Sequence, residues 1–112
     1  MAFTPAPGFD ELIHAPTRLS IVSLLAATAW AEFGFVRDSI QLSDSALSKQ
    51  ISTLEQAGYV TVNKTGAGRR SRTYVRLSPR GRDAFNGHVA ALQKLVNGSV
   101  PDEEPLPEVR RG

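Results

Sequence analysis

Two stretches of this 112-residue chain hold side chains whose type and spacing suit contact with a polyanion. Lys64, Arg69, Arg70, Arg72, Arg76, Arg80 and Arg82 follow one another without an intervening acid. Like charges that dense repel one another unless something anionic lies alongside. A solvated, charge-rich hairpin is the plainer reading of such a run, so it has to be weighed with its surroundings. The second stretch is Ser43 to Gln56. Leu47, Ile51 and Leu54 fall there at i, i+4 and i+7, one apolar stripe of a helix. The other face carries Ser45, Ser48, Lys49 and Ser52. Short side chains let a helix approach a groove floor, and hydroxyls and an ammonium offer donors and acceptors to base edges. Ala46 or a serine Cβ suits a thymine methyl. An amphipathic surface helix of no special function has the same pattern when taken alone.

Other chemistries find little support. The chain has no cysteine, which excludes a disulfide scaffold, a thiolate zinc site, an iron–sulfur cluster and a cysteine nucleophile. His14 and His88 stand far apart and read as capped or interface histidines rather than ligands or bases. Gly66-Ala67-Gly68 joins two strands and opens no helix, so it is not a nucleotide fingerprint. No nucleophile–base set or carboxylate pair appears at useful spacing. Neither an enzyme nor a metal or cofactor site is expected. The chain is too short for a (β/α)₈ barrel, which needs roughly 200 residues or more. The most apolar stretch, Ile21 to Ala31, falls short of the roughly 20 residues that span a membrane. The N-terminal MAFTPAPG lacks a basic region and does not read as a secretory signal. A cytoplasmic location is the expectation.

The elements that must position these side chains follow from periodicity. Residues 1–8, with two prolines and a glycine, read as a flexible tail. Phe9 to His14 predicts one helical turn, stopped before Pro16. Pro16 suits the first position of a helix running to about Ala29. Its Leu19, Ile21, Val22, Leu24, Leu25, Ala26 and Ala29 cover more than one face, so it must be buried on more than one side. Ala31 to Phe33 reads as a minimal strand and Gly34 to Ile40 as a short helix. Ser43 is an N-cap for the next helix, which Gly58 ends. The period then becomes two in 59–63 and again in 73–77, with a glycine-containing basic tip over 65–71. Ser78-Pro79 opens the last helix, about 78–97, with Phe85, Val89, Leu92 and Val96 on one stripe. Residues 98–112 hold Asp102, Glu103, Glu104, Glu108 and three prolines, a composition that reads as disorder. The fold class is therefore mainly α with a small antiparallel β-hairpin (α+β), and the domain is 9–96.

This order resembles a winged helix-turn-helix domain, and more narrowly the small MarR/ArsR-type transcriptional regulators with one extra C-terminal helix. The resemblance rests on His14-Ala15-Pro16-Thr17-Arg18-Leu19, on Ser43-Asp44-Ser45-Ala46-Leu47-Ser48-Lys49-Gln50-Ile51, on Leu54-Glu55-Gln56-Ala57-Gly58-Tyr59-Val60, and on Leu77-Ser78-Pro79-Arg80-Gly81. It departs from the family pattern at three positions. Phe35 stands where a polar residue is usual, Gln50 where histidine is frequent, and Gln41 where glycine is common.

The resemblance implies a sequence-specific double-stranded DNA-binding regulator, most simply a repressor. Base readout falls to Ser43, Ser45, Ala46, Ser48, Lys49 and Ser52 in the major groove. Backbone or minor-groove contact falls to Lys64, Arg69, Arg70 and Arg72 of the wing. Arg80 and Arg82 are open to either solvent or DNA. One such domain reads few base pairs, so a twofold homodimer is expected. Its interface would come from the first and last helices through Leu19, Val22, Phe85, Val89, Leu92 and Val96. Trp30, Phe33 and Phe35 read as core and interface aromatics or, alternatively, as the lining of a small-molecule effector pocket. The competing functions are a winged helix that docks protein and a non-specific nucleic-acid binder. The acidic tail is read as a possible competitor for the wing arginines.

Overall fold

The computed structural model describes residues 6–97. The elements in chain order are α1 (Glu11–His14), α2 (Pro16–Ala26), β1 (Ala31–Glu32), α3 (Phe33–Ile40), α4 (Asp44–Gln56), β2 (Val60–Thr65), a 3₁₀ turn (Gly68–Arg70), β3 (Arg72–Leu77) and α5 (Pro79–Asn97). The three strands form one antiparallel sheet in the order β1-β3-β2.

The core forms where the helical stripes meet the inner face of this sheet. Ile21, Val22 and Leu25 of α2 and Leu47, Ile51 and Leu54 of α4 join Val36, Val60, Val75 and Leu77, all buried. Val60 lies opposite Leu77 and Val62 opposite Val75. Directly opposed residues share a face, so these four aliphatics point to the core together. The intervening pairs, Thr61–Arg76, Asn63–Tyr74 and Thr65–Arg72, take the outer face.

Three boundaries differ from the sequence reading. α2 stops at Ala26, because Ala27 and Thr28 turn back to Leu24 O and Leu25 O. That turn sends Ala31 into the sheet beside Val75. The hairpin strands run further than their apolar alternation, to the polar pairs Lys64–Thr73 and Thr65–Arg72. The tip is accordingly shorter. Residues 6–8 are a docked turn rather than a loose tail. Phe9 N–H donates to Ala6 O at 3.1 Å, and Gly8, at φ +91°, lies so close to α5 that a Cβ would stand 2.9 Å from Gly87 O. Residues 1–5 and the acidic segment 98–112 lie outside the described residues.

The Leu-Ser-Pro-x-Gly stretch has a specific structural task. Ser78 Oγ donates to Gly58 O at 2.5 Å and accepts from Gly81 N–H at 2.9 Å. Ser78 N–H donates to Tyr59 O at 3.0 Å. The start of α5 is thereby stitched to the exit of α4. Gly81 permits the approach, since a Cβ there would lie 2.0 Å from Tyr59 O.

Candidate nucleic-acid interface

α4 is placed by its two ends and by its buried stripe. Ser43 Oγ accepts from Ala46 N–H at 3.1 Å, as an N-cap should. Asp44 puts a carboxylate in the first turn, where the helix dipole favours it. Leu47, Ile51 and Leu54 anchor the inner face, which turns Ser45, Ser48, Lys49 and Ser52 to solvent. Ala46 is half-buried. Ser43 is exposed, but its oxygen is committed to the cap, so its contribution is to position the helix first.

Two arginines that the sequence reading did not single out hold α4 against its neighbours. Arg37 Nη1 donates to Asp44 Oδ1 at 2.8 Å, and its Nε donates to Asp38 Oδ1 at 2.9 Å. The hydrogen bond to Asp38, then that to Asp44, raise the guanidinium pKa further above its ordinary value. The same bond lowers that of the Asp38 carboxyl. Arg18 spans α1 and α4, donating from Nε to Leu12 O at 2.6 Å and from Nη1 to Gln50 Oε1 at 3.1 Å. Gln50 therefore has a structural partner at the position where the family often has histidine. Neither pair had a sequence signal, because one spans a turn and the other spans a strand and a helix.

The hairpin carries its cations to different places. Lys64 lies on the inner side, opposite Thr73. It joins Ser48, Ser52, Glu55 and Thr73 around a cleft of about 450 Å³ between α4 and the hairpin, with Phe33 also in its wall. Arg69 and Arg70 sit exposed in the 3₁₀ turn at the tip. Arg72 pairs with Glu32 at 3.5 Å, both groups well exposed. Arg76 lies 4.8 Å over the Trp30 ring. Arg80 lies 6.0 Å over the Tyr59 ring. Arg82 Nη1 donates to Ala26 O at 3.3 Å, where a cation complements the end of α2.

The aromatic trio does not assemble into one pocket. Phe33 faces the α4 cleft. Trp30 lies beside Asn63, Thr65 and Tyr74 in a separate groove. Phe35 lines neither groove and is 53% exposed. The register explains the separation. Trp30 precedes the strand pair Ala31–Val75, whereas Phe33 begins a helix that turns its side chain to the other side of the sheet.

The residues expected at a dimer interface also divide. Val22 is fully buried in its own domain's core and has no surface to offer. Phe85 packs partly buried against that core. Leu19, Val89 and Leu92 are half-buried, and Val96 is 67% exposed. Leu19 lines an apolar groove of about 640 Å³ with Phe9, His14, Pro16 and Leu95.

His14 and His88 meet despite their distance in sequence. His14 Nδ1 lies 3.3 Å from His88 Nε2, and Asp10 N–H donates to His88 Nδ1 at 2.9 Å. Asp10 also caps α1 through Ile13 N–H and accepts from Tyr59 Oη at 2.5 Å. The hydrogen bond to Asp10, and then burial, raise the Tyr59 phenol above its ordinary range. Among the described residues no group of three or more side chains is arranged to hold a metal ion. Among the same residues no helix is long and apolar enough to cross a membrane.

A model of the winged helix DNA-binding domain family matches residues 17–96. The uncharacterized protein MJ0432 of Methanocaldococcus jannaschii is 25% identical over 85 residues, covering 76% of this chain and 92% of that protein. A transcriptional regulator homologue from Pyrococcus horikoshii OT3 superposes with a TM-score of 0.75 at 26% identity, over 80% of this chain and 88% of that one. A structure described as a possible transcriptional regulator for arsenical resistance superposes with a TM-score of 0.60 at 28% identity, over 81% and 95%. MarR-family regulators of lower identity share the fold.

Proposed function

The chain belongs to the winged helix DNA-binding domain family, and on that premise we propose that this MarR-type regulator binds an inverted-repeat operator as a homodimer and represses by occupying it. α4 enters the major groove with Ser45, Ala46, Ser48, Lys49 and Ser52 toward the bases, and Ser43 sets its depth. Lys64, Arg69 and Arg70 contact phosphates or the minor groove, and Arg72 joins them once released from Glu32. The homodimer forms through the half-buried and exposed apolar residues of α2 and α5, chiefly Leu19, Val89, Leu92 and Val96, with Phe85 at the margin. The place of action is the bacterial cytoplasm, at the nucleoid.

The observation that carries this reading is the shared side of α4 and the hairpin. Ser48 and Ser52 of α4 and Lys64 of the hairpin line one cleft, with Asp44 and Glu55 also in its wall, and the tip arginines extend from the same hairpin. Replacing Arg69 and Arg70 with alanine weakens binding to all sequences about equally and reduces the log–log salt slope by about 1–2. Replacing Ser48 and Lys49 instead relaxes the choice among sequences. An unchanged salt slope in the first variant contradicts wing contact. The exposed Phe35 favours a second reading, in which this fold docks another protein; a chain that binds no DNA at any salt would support it.

A further inference from the structure

We propose that residues 6–14 are a proton-sensitive clasp, fastened across α5 while His88 is neutral and released when His88 takes up a proton. The proposal does not depend on DNA binding. It rests on how the two rings are shared between the segment and the helix. Asp10 N–H points at His88 Nδ1, so that nitrogen must be the bare one. Neutral His88 then carries its proton on Nε2 and donates it to His14 Nδ1. Both nitrogens of His88 are used, and its side chain is fully buried. Phe9 closes the arrangement, its ring centroid 4.8 Å from each imidazole.

A second proton has no place in this arrangement. On His88 Nδ1 it would face the Asp10 N–H. There two donors would confront each other at a fully buried side chain. Charged and titratable groups beside the pair or its direct partners include Asp10 and Glu11 on the segment, Arg18 on α2, Tyr59 after α4 and Arg80 on α5. The Asp10 carboxylate oxygens already serve Ile13 N–H and Tyr59 Oη. Burial first, and the neighbouring His14 second, hold His88 below its ordinary value of 6.5, with Asp10 opposing them. The clasp is therefore fully fastened above pH 6.5 and loosens as the pH falls through the lower, folded-state value.

Release has two consequences in the fold. It takes the Asp10 carboxylate off Tyr59, the residue that follows the Gly58 end of α4. It also removes Phe9 and His14 from the wall of the apolar groove they share with Leu19 and Leu95.

The test is amide hydrogen exchange by NMR on the full chain, with imidazole ¹⁵N shifts followed in the same samples. Protection of the Asp10 and Ile13 amides is expected to fall up to about tenfold per pH unit below pH 6.5, with the His88 shift. The amides of Leu25 and Leu54 keep their protection. His88→Asn retains an acceptor for Asp10 N–H and removes the pH dependence. His14→Gln, at a more exposed position, removes the neighbouring imidazole and moves the midpoint upward. Flat protection at Asp10 and Ile13 overturns the clasp, as does a midpoint unmoved in His14→Gln. Equal loss at Leu25 and Leu54 also overturns it, because that is unfolding of the whole domain.

Discussion

Arg37 and Asp44 join across the helix-turn-helix turn, with Nη1 donating to Oδ1 at 2.8 Å. The pair links the last turn of α3 to the first turn of α4. Asp44 is exposed and Arg37 partly so, and the link therefore adds little to global stability. Its effect is on the entry angle of α4. Arg37→Ala is expected to leave the thermal midpoint nearly unchanged and to weaken specific DNA binding several-fold. Unaltered affinity in a folded variant would remove Arg37 from the account.

Gly81→Ala tests the stitch between α5 and the exit of α4. Helix propensity alone predicts stabilisation by about 1 kcal/mol in mid-helix. The position is different, because the new methyl would meet Tyr59 O at 2.0 Å. Backbone cannot give way as a flexible side chain does, so the variant should lose about 3 kcal/mol or more. Urea denaturation gives the sign directly.

Gln41 occupies the left-handed region at φ 62°. Its N–H still bonds to Arg37 O, closing α3. A residue with a Cβ is strained there and glycine is not. Gln41→Gly is expected to stabilise the domain by about 0.5–1 kcal/mol, after the opposing gain in unfolded-state freedom. A loss of stability on denaturant titration would mean that the glutamine side chain has an uncounted partner.

Tyr59→Phe removes the hydroxyl that donates to Asp10. A hydrogen bond to a charged group contributes about 1.5–3 kcal/mol, and partial exposure places this one at the lower end. The phenol's pKa is raised in the fold, so its contribution is complete below pH 10 and is lost as pH rises through the folded value. Wild type should weaken on that alkaline limb and the phenylalanine variant should not. Parallel limbs in the two proteins would contradict the assignment.

Local chemistry made much of the architecture legible. The stripe Leu47, Ile51, Leu54 marks the buried face of α4, and Ser43 and Ser78 mark helix starts, because caps and periodicity are properties of neighbouring residues. The basic run likewise falls on a hairpin from Lys64 to Arg76, with Arg80 and Arg82 on α5. Contacts between residues far apart in sequence were not legible. Nothing near His14 announces His88, and nothing near Arg18 announces Gln50. The apolarity of Val22 signalled burial but could not tell its own core from a partner's. The aromatic trio failed for a related reason, since the short strand Ala31–Glu32 between Trp30 and Phe33 sends neighbours in sequence to opposite sides of a sheet.

The homodimer has its own check. Light scattering at tens of micromolar should give twice the monomer mass, and Val96→Glu, at an exposed large apolar residue of α5, should shift it toward the monomer. A monomeric wild type would remove the inverted repeat from the proposal.

The central claim is that α4 reads sequence while the wing supplies electrostatic affinity. The measurement that tests it most directly is selection of genomic fragments, the gene's own upstream region included, by the purified protein at about 50 and 200 mM salt. The account predicts that a short inverted repeat is recovered and survives the higher salt, with half-sites about 34–36 Å apart. Binding that disappears from every fragment at the higher salt would contradict it, leaving a non-specific polycation in place of a regulator.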